Sequence, residues 1–221
     1  RPNWVANVAA DPQTVSPMLI NRLDRARPAQ KIVLLRVLSG VGGPAALKAV
    51  RAAVDDPDGE VRTGAIRALG TWKTTDAATE LLALARVTDN PSDRMLSLRS
   101  YLGFAARRDL PAEMRLTMCR QAGELVRRDD EKKLLLGTLG GIDSIDALGV
   151  IEPYLADSAT KQEATVALLG IADRLLSQRE ANQYAAKLIG PLEKAIQAAA
   201  SDNLAQRAKT LLEQARAKAG R

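Results

Sequence analysis

Catalysis at neutral pH needs side chains that attack, shuttle protons or hold a metal, and this chain offers few of them. It contains no histidine. Ser-His-Asp and Cys-His pairs, imidazole bases and imidazole metal sites are therefore excluded. Its single cysteine, Cys119, can make neither an internal disulfide nor a structural zinc site. In "RLTMCRQAGELV" (115–126) that cysteine has Met118, Ala122 and Leu125 as helical neighbours, the setting of a small buried hydrophobe. The acid-rich "DDPDGE" (55–60) lacks the twelve-residue spacing and closing bidentate glutamate of a calcium loop, and reads as a cap and turn. Asp143 with Asp146, and Asp130 with Lys133, lie three apart at helix starts, where acids favour the dipole. The glycines of "GVGG" (40–43) and "LGGID" (139–143) are expected in inter-helix turns, supplying positive φ rather than a phosphate cradle. What remains is carboxylate, Lys, Tyr or lone-Cys chemistry without a catalytic motif, so the expectation is a non-catalytic protein with no cofactor and no metal.

One constellation could bind rather than react. Arg36, Arg67 and Arg99 stand at the same place in "LLRVLS", "AIRALG" and "SLRSYL", at spacings of 31 and 32. On the helix read at 57–70, Arg67 falls about 140° from the centre of the face made by Val61, Ala65, Ala68 and Leu69. It is expected to point outward. The next two equivalents are Gly137 and Ala167, so a basic strip would stop after three repeats. Such a strip would suit an acidic partner; the bland alternative is a solvated face with incidental arginines.

The elements that must position these residues are helices. Ala and Leu abound, aromatic residues make up only 3% of the chain, and no alternating run demands a strand. Start and stop signals place helices near 13–25, 28–39, 44–54, 57–70, 75–87, 91–106, 111–127, 130–140, 144–155, 159–176, 179–199 and 202–218. Asp56 is expected as an N-cap with Pro57 at the first helical position. Ser177 with Glu180, and Thr160 with Glu163, have the spacing of capping boxes. Gly190-Pro191 is expected to kink or break the helix it interrupts, because proline lacks the amide that would bond to Lys187.

The helices repeat. "GGPAALKAVRAAVDD" (42–56) aligns without a gap with "DSIDALGVIEPYLAD" (143–157), and "AIRALG" (65–70) with "TVALLG" (165–170). The unit is a pair of antiparallel helices that cannot bury its apolar face alone, so pairs must stack. The last helix can close the array, with Gln206, Arg207, Lys209, Glu213, Gln214, Arg216 and Lys218 opposite Leu204, Ala208, Leu211 and Ala215. Trp4, Val5 and Val8 of the lead-in are expected to pack on the first pair or on a neighbouring domain.

"DDPDGEVRTGAIRALG" resembles the second half of a HEAT repeat, particularly the short bacterial, phycobilisome-lyase-like kind. The resemblance implies an all-α, right-handed α-solenoid (superhelix) of about six antiparallel helical pairs. It implies a single domain over 1–221, with a lead-in at 1–12 and a weaker capping pair at 179–218. It also implies that Asp56 and Arg62, six apart, belong to a ladder between repeats, and that the second helices carrying Arg36, Arg67 and Arg99 line the concave side. The fourth and fifth pairs depart from the motif, with Glu131-Lys132 and Lys161-Gln162 in place of Val-Arg.

For function, the resemblance implies a protein-interaction or scaffold module of a larger bacterial protein, its partner another protein or a neighbouring domain of the same polypeptide; the arginine strip is what would make that partner acidic. Because the chain begins with Arg1, it is expected to be excised from something longer. Two other readings stay open. One is a nucleic-acid-binding array, favoured by residues 1–110, which carry 16 basic and 11 acidic side chains against 16 and 15 in residues 111–221. Against it, a HEAT-type DNA glycosylase would need aromatics and an acid along its binding face, whereas Trp4, Trp72, Tyr101, Phe104, Tyr154 and Tyr184 are scattered. The other is an accessory domain shaping an adjacent sugar-active or redox centre. The longest uncharged runs are too short to span a bilayer, so no membrane insertion is expected, and the compartment is left open.

Overall fold

A computed structural model describes residues 12–220, with side chains described from residue 15. The lead-in residues Trp4, Val5 and Val8 lie outside the described residues. The chain divides into two compact units, Arg1–Phe104 and Ala105–Arg221. Among the described residues every regular element is helical. Unit 1 contains α1 (Pro12–Asp24), α2 (Pro28–Val41), α3 (Pro44–Ala52), α4 (Gly59–Gly70), α5 (Asp76–Val87) and α6 (Pro91–Ala105), whose final residue crosses the unit boundary. Unit 2 contains α7 (Ala112–Gly123), α8 (Asp129–Leu139), α9 (Ala147–Ile151), α10 (Lys161–Ser177), α11 (Ala181–Ala198) and α12 (Asp202–Ala219).

Helices pack on their neighbours in sequence and on the next but one. In unit 1, α2 meets α1, α3 and α4; in unit 2, α10 meets α8, α9, α11 and α12. That one-dimensional pattern is the α-solenoid arrangement of stacked helical pairs. The core is aliphatic. Leu35, Leu38, Leu69, Leu81, Leu98, Leu135, Leu136 and Leu139 are fully enclosed. On α4 the expected face Val61, Ala65, Ala68 and Leu69 is buried, widened by Ile66. On α12, Ala208, Leu211 and Ala215 are buried while Gln206, Arg207, Lys209, Glu213, Gln214 and Arg216 stay exposed, as a capping helix requires.

Several local expectations change. Asp58, not Asp56, caps α4: its carboxylate accepts from the amides of Glu60 and Val61, so the helix starts at Gly59. Asp56 instead accepts from the amide of Asp58 and fixes the turn before the cap. Neither capping box forms. Ser177 lies inside α10 and donates to the carbonyl of Asp173, while the Thr160 hydroxyl donates to the carbonyl of Tyr154. The α3 and α9 helices end early and finish as 3-10 turns, Ala53–Asp55 and Glu152–Leu155. No break occurs at Gly190-Pro191: α11 runs unbroken from Ala181 to Ala198. Its stripe Ala181, Ala185, Leu188, Leu192 and Ala195 is buried along the whole length, and that packing holds the helix through the missing proline hydrogen bond.

The glycine turns also divide. Gly42 and Gly43 take φ of 75° and 86°, the left-handed region open to glycine, where α2 turns into α3. Gly140 has φ −58° and needs no such freedom. A Cβ there would lie 3.0 Å from the Cα of Ala167, so this glycine lets α8 approach α10.

Candidate functional site

Unit 1 carries a groove of about 980 Å³ between α2 and α4. These two second helices run parallel and in register. Ile32 lies over Gly64, where a Cβ would come within 3.2 Å of its side chain, and Ser39 shares a 3.3 Å hydroxyl contact with Thr71. Both pairs are 32 residues apart, so the offset holds over two helical turns. Gly64 has no side chain and therefore lets Ile32 seat closely against α4. Ile32, Val33 and Ala68 line the apolar part.

Arg36 and Arg67 line this groove near its C-terminal end. Both are exposed, and neither enters an ion pair or side-chain hydrogen bond among the described residues. The structure thus places two of the three expected binding arginines on one concave surface. Arg99 on α6 is likewise exposed and without such a partner among the described residues, but it does not line the groove. At the N-terminal end the lining changes sign: Asp58 and Glu60 stand there, Asp58 committed to the α4 cap and Glu60 exposed.

Unit 2 contains the corresponding groove, between α8 and α10, with a volume of about 490 Å³. Its charges are arranged differently. Gly137 and Ala167 stand where unit 1 has arginines. Lys133 is paired with Glu163 at 3.0 Å, Arg207 with Asp173 at 3.3 Å, and Arg174 with Asp143. The cations of this groove are neutralised within the protein.

Beside each groove runs a ladder of ion pairs. Lys31 of α2 reaches Asp56 at 2.7 Å, and Lys132 of α8 reaches Asp157 at 3.0 Å; in both cases the partners are 25 residues apart. Unit 1 has a second such pair: Arg62 of α4 lies 3.7 Å from Asp93 at the start of α6. The recurring element is a cation in the first turn of a second helix paired with an acid at the start of the next one. Asp56 and Arg62 do meet, but through the backbone: the Arg62 guanidinium donates to the carbonyls of Asp56 and Pro57, leaving the Asp56 carboxylate to Lys31. The Lys31 hydrogen bond, assisted by the Asp58 amide, holds the Asp56 carboxyl below its ordinary range. At Asp157 the Ala159 amide and then Lys132 do the same. The hydrogen bonds to Asp157 and Asp129 push Lys132 up.

Two groups inside unit 2 complete the chemistry. Cys119 is buried on α7, and loss of hydration pushes its thiol up to about 12, away from nucleophilic thiolate. Arg115, four residues and about one turn upstream on the same helix and buried with it, spans two chain segments: its guanidinium donates to the carbonyls of Ala105 and Gly141 at 2.8 and 2.9 Å. Sequence patterning gave no sign of this fork, because Arg115 occupies a buried position that periodicity assigns to an apolar residue. No group of three or more His, Cys, Asp or Glu among the described residues could hold a metal, and none of the helices searched is long and apolar enough to cross a membrane. Trp72, Tyr101 and Phe104 are buried, so these aromatics of unit 1 offer no open ring face for stacking on bases.

Residues 16–101 match the family model of HEAT repeats, at the level of the repeat and not of its short bacterial variety. No curated protein matches the chain. Among solved structures, two engineered proteins are similar. One is 18% identical with a TM-score of 0.49, the match covering 92% of this chain and 97% of the engineered one. The other is 19% identical with a TM-score of 0.49, covering 91% and 58%.

Proposed function

We propose that this chain, a HEAT-repeat protein over residues 16–101, is a non-catalytic interaction and scaffold module that captures an acidic segment of a partner protein on the second-helix face of unit 1. One observation carries the reading. Arg36 and Arg67 share a groove and are exposed with no ion-pair partner among the described residues, whereas the equivalent unit 2 positions are Gly137 and Ala167 and the cations nearby are paired. Unpaired guanidinium groups on an apolar floor favour carboxylates, which they can engage bidentately. Arg99, exposed at the equivalent place on α6, is counted with them.

The test is isothermal titration of the whole chain with a synthetic Glu-rich polypeptide, and of the variant carrying Arg36→Gln, Arg67→Gln and Arg99→Gln. The triple variant should keep its stability within about 1 kcal/mol, since all three side chains are exposed. It should lose at least tenfold in affinity. Unchanged affinity would reject the reading. Tighter binding of duplex DNA than of the polypeptide, with a steep dependence on salt, would replace it with a nucleic-acid function.

A further inference from the structure

We infer that the α2–α4 groove receives a polypeptide segment of mixed and ordered charge: acidic at one end, apolar in the middle, basic at the other. This rests on reading unit 1 as a surface that captures an acidic segment, and it specifies what else that segment must carry. The parallel register fixes the order of features along the groove. Glu60 and Asp58 stand at the N-terminal end, Ile32, Val33 and Gly64 in the middle, and Arg36 and Arg67 toward the C-terminal end. Val33 is half exposed although it is fully apolar, which gives a bound side chain something to cover.

Dimensions match a short extended chain. Glu60 and Arg67 are seven residues apart on one helix, about 10 Å at 1.5 Å per residue. An extended peptide covers that span in about three residues. A ligand would therefore set an acid against the arginines, apolar surface over Ile32 and Val33 and a base against Glu60. Charge complementarity also selects against a uniform polyanion. Laid along the groove, such a chain would meet Arg36 and Arg67 favourably and Glu60 unfavourably, and like charges brought together at an interface cost affinity.

The probe is a set of fluorescein-labelled hexapeptides read by anisotropy with the whole chain: one all-acidic, and two of mixed charge around an apolar centre, in opposite chain directions. Wild-type protein should bind one of the mixed peptides at least tenfold more tightly than the all-acidic one. Glu60→Lys should reverse that preference, and the milder Glu60→Gln should erase most of it. If the all-acidic peptide binds wild type as well as either mixed peptide, and Glu60→Gln and Glu60→Lys change nothing, the ordered-charge inference is overturned while capture of acidic segments stands. If Arg36→Gln with Arg67→Gln leaves every peptide unaffected, or if no peptide binds, both are overturned.

Discussion

Asp56 shows how one carboxylate serves the fold twice, bonding the Asp58 amide within its own turn and the Lys31 ammonium of the preceding second helix. The sign of its pH dependence follows. Its folded pKa lies below the ordinary 3.8, so its stabilisation is complete above that value and is lost as pH falls through the folded pKa. Asp56→Asn keeps an acceptor for the Asp58 amide but loses the charge. It should cost about 1 kcal/mol at neutral pH, the upper part of the range for partly exposed pairs. The gap to wild type should close as pH is taken well below 3.8, read from urea midpoints at each pH. A gap that stays constant across that range would mean the ion pair contributes nothing. The ladder shows why residue roles were only partly legible. Asp56 and Arg62 announce themselves by type and spacing, but which acid pairs with which base depends on the neighbouring repeat. Lys31 and Lys132 carry no motif of their own, and only their common separation of 25 residues from Asp56 and Asp157 marks them.

Helices were the most legible level, and their positions follow from apolar spacing in a chain of Ala and Leu. Their ends were less so, because end structure is decided by local competition. Asp56 and Asp58 both suit a cap, and the Asp58 amide resolves it by binding Asp56. Pro153 falls where α9 gives way to a 3-10 turn, whereas Pro191 is absorbed inside α11 by its buried stripe. Glycines inside helices also hide two different roles. In α4, a Cβ on Gly70 would meet the Ser100 Cβ at 2.9 Å and its hydroxyl at 2.7 Å, so α4 and α6 touch through this residue. In α8, Gly137 has nothing within 4 Å of that position. Alanine is the better helix former by about 1 kcal/mol. Gly137→Ala should therefore stabilise by about 0.5–1 kcal/mol. Gly70→Ala should destabilise by about 1–3 kcal/mol through overpacking. Thermal or urea unfolding of the two variants checks both, and equal shifts in the same direction would refute the distinction.

For the whole molecule, repetition in sequence implies stacking but not which copy works. The units share parallel second helices, a groove and an ion-pair ladder, and they differ in how their cations are partnered. In unit 1 Arg36 and Arg67 face open space; in unit 2 Lys133, Arg174 and Arg207 face acids of the same protein. The sequence already showed the arginine strip ending before Gly137 and Ala167. It could not show the groove, because that depends on Gly64 lying under Ile32 across two helices. The most direct measurement is an amide chemical-shift titration of the isotopically labelled whole chain with the Glu-rich polypeptide. The account predicts perturbations concentrated on residues 32–36 of α2 and 60–70 of α4, with residues 133–139 of α8 and 162–174 of α10 unmoved. Shifts of equal size in both grooves, or shifts confined to unit 2, would contradict it.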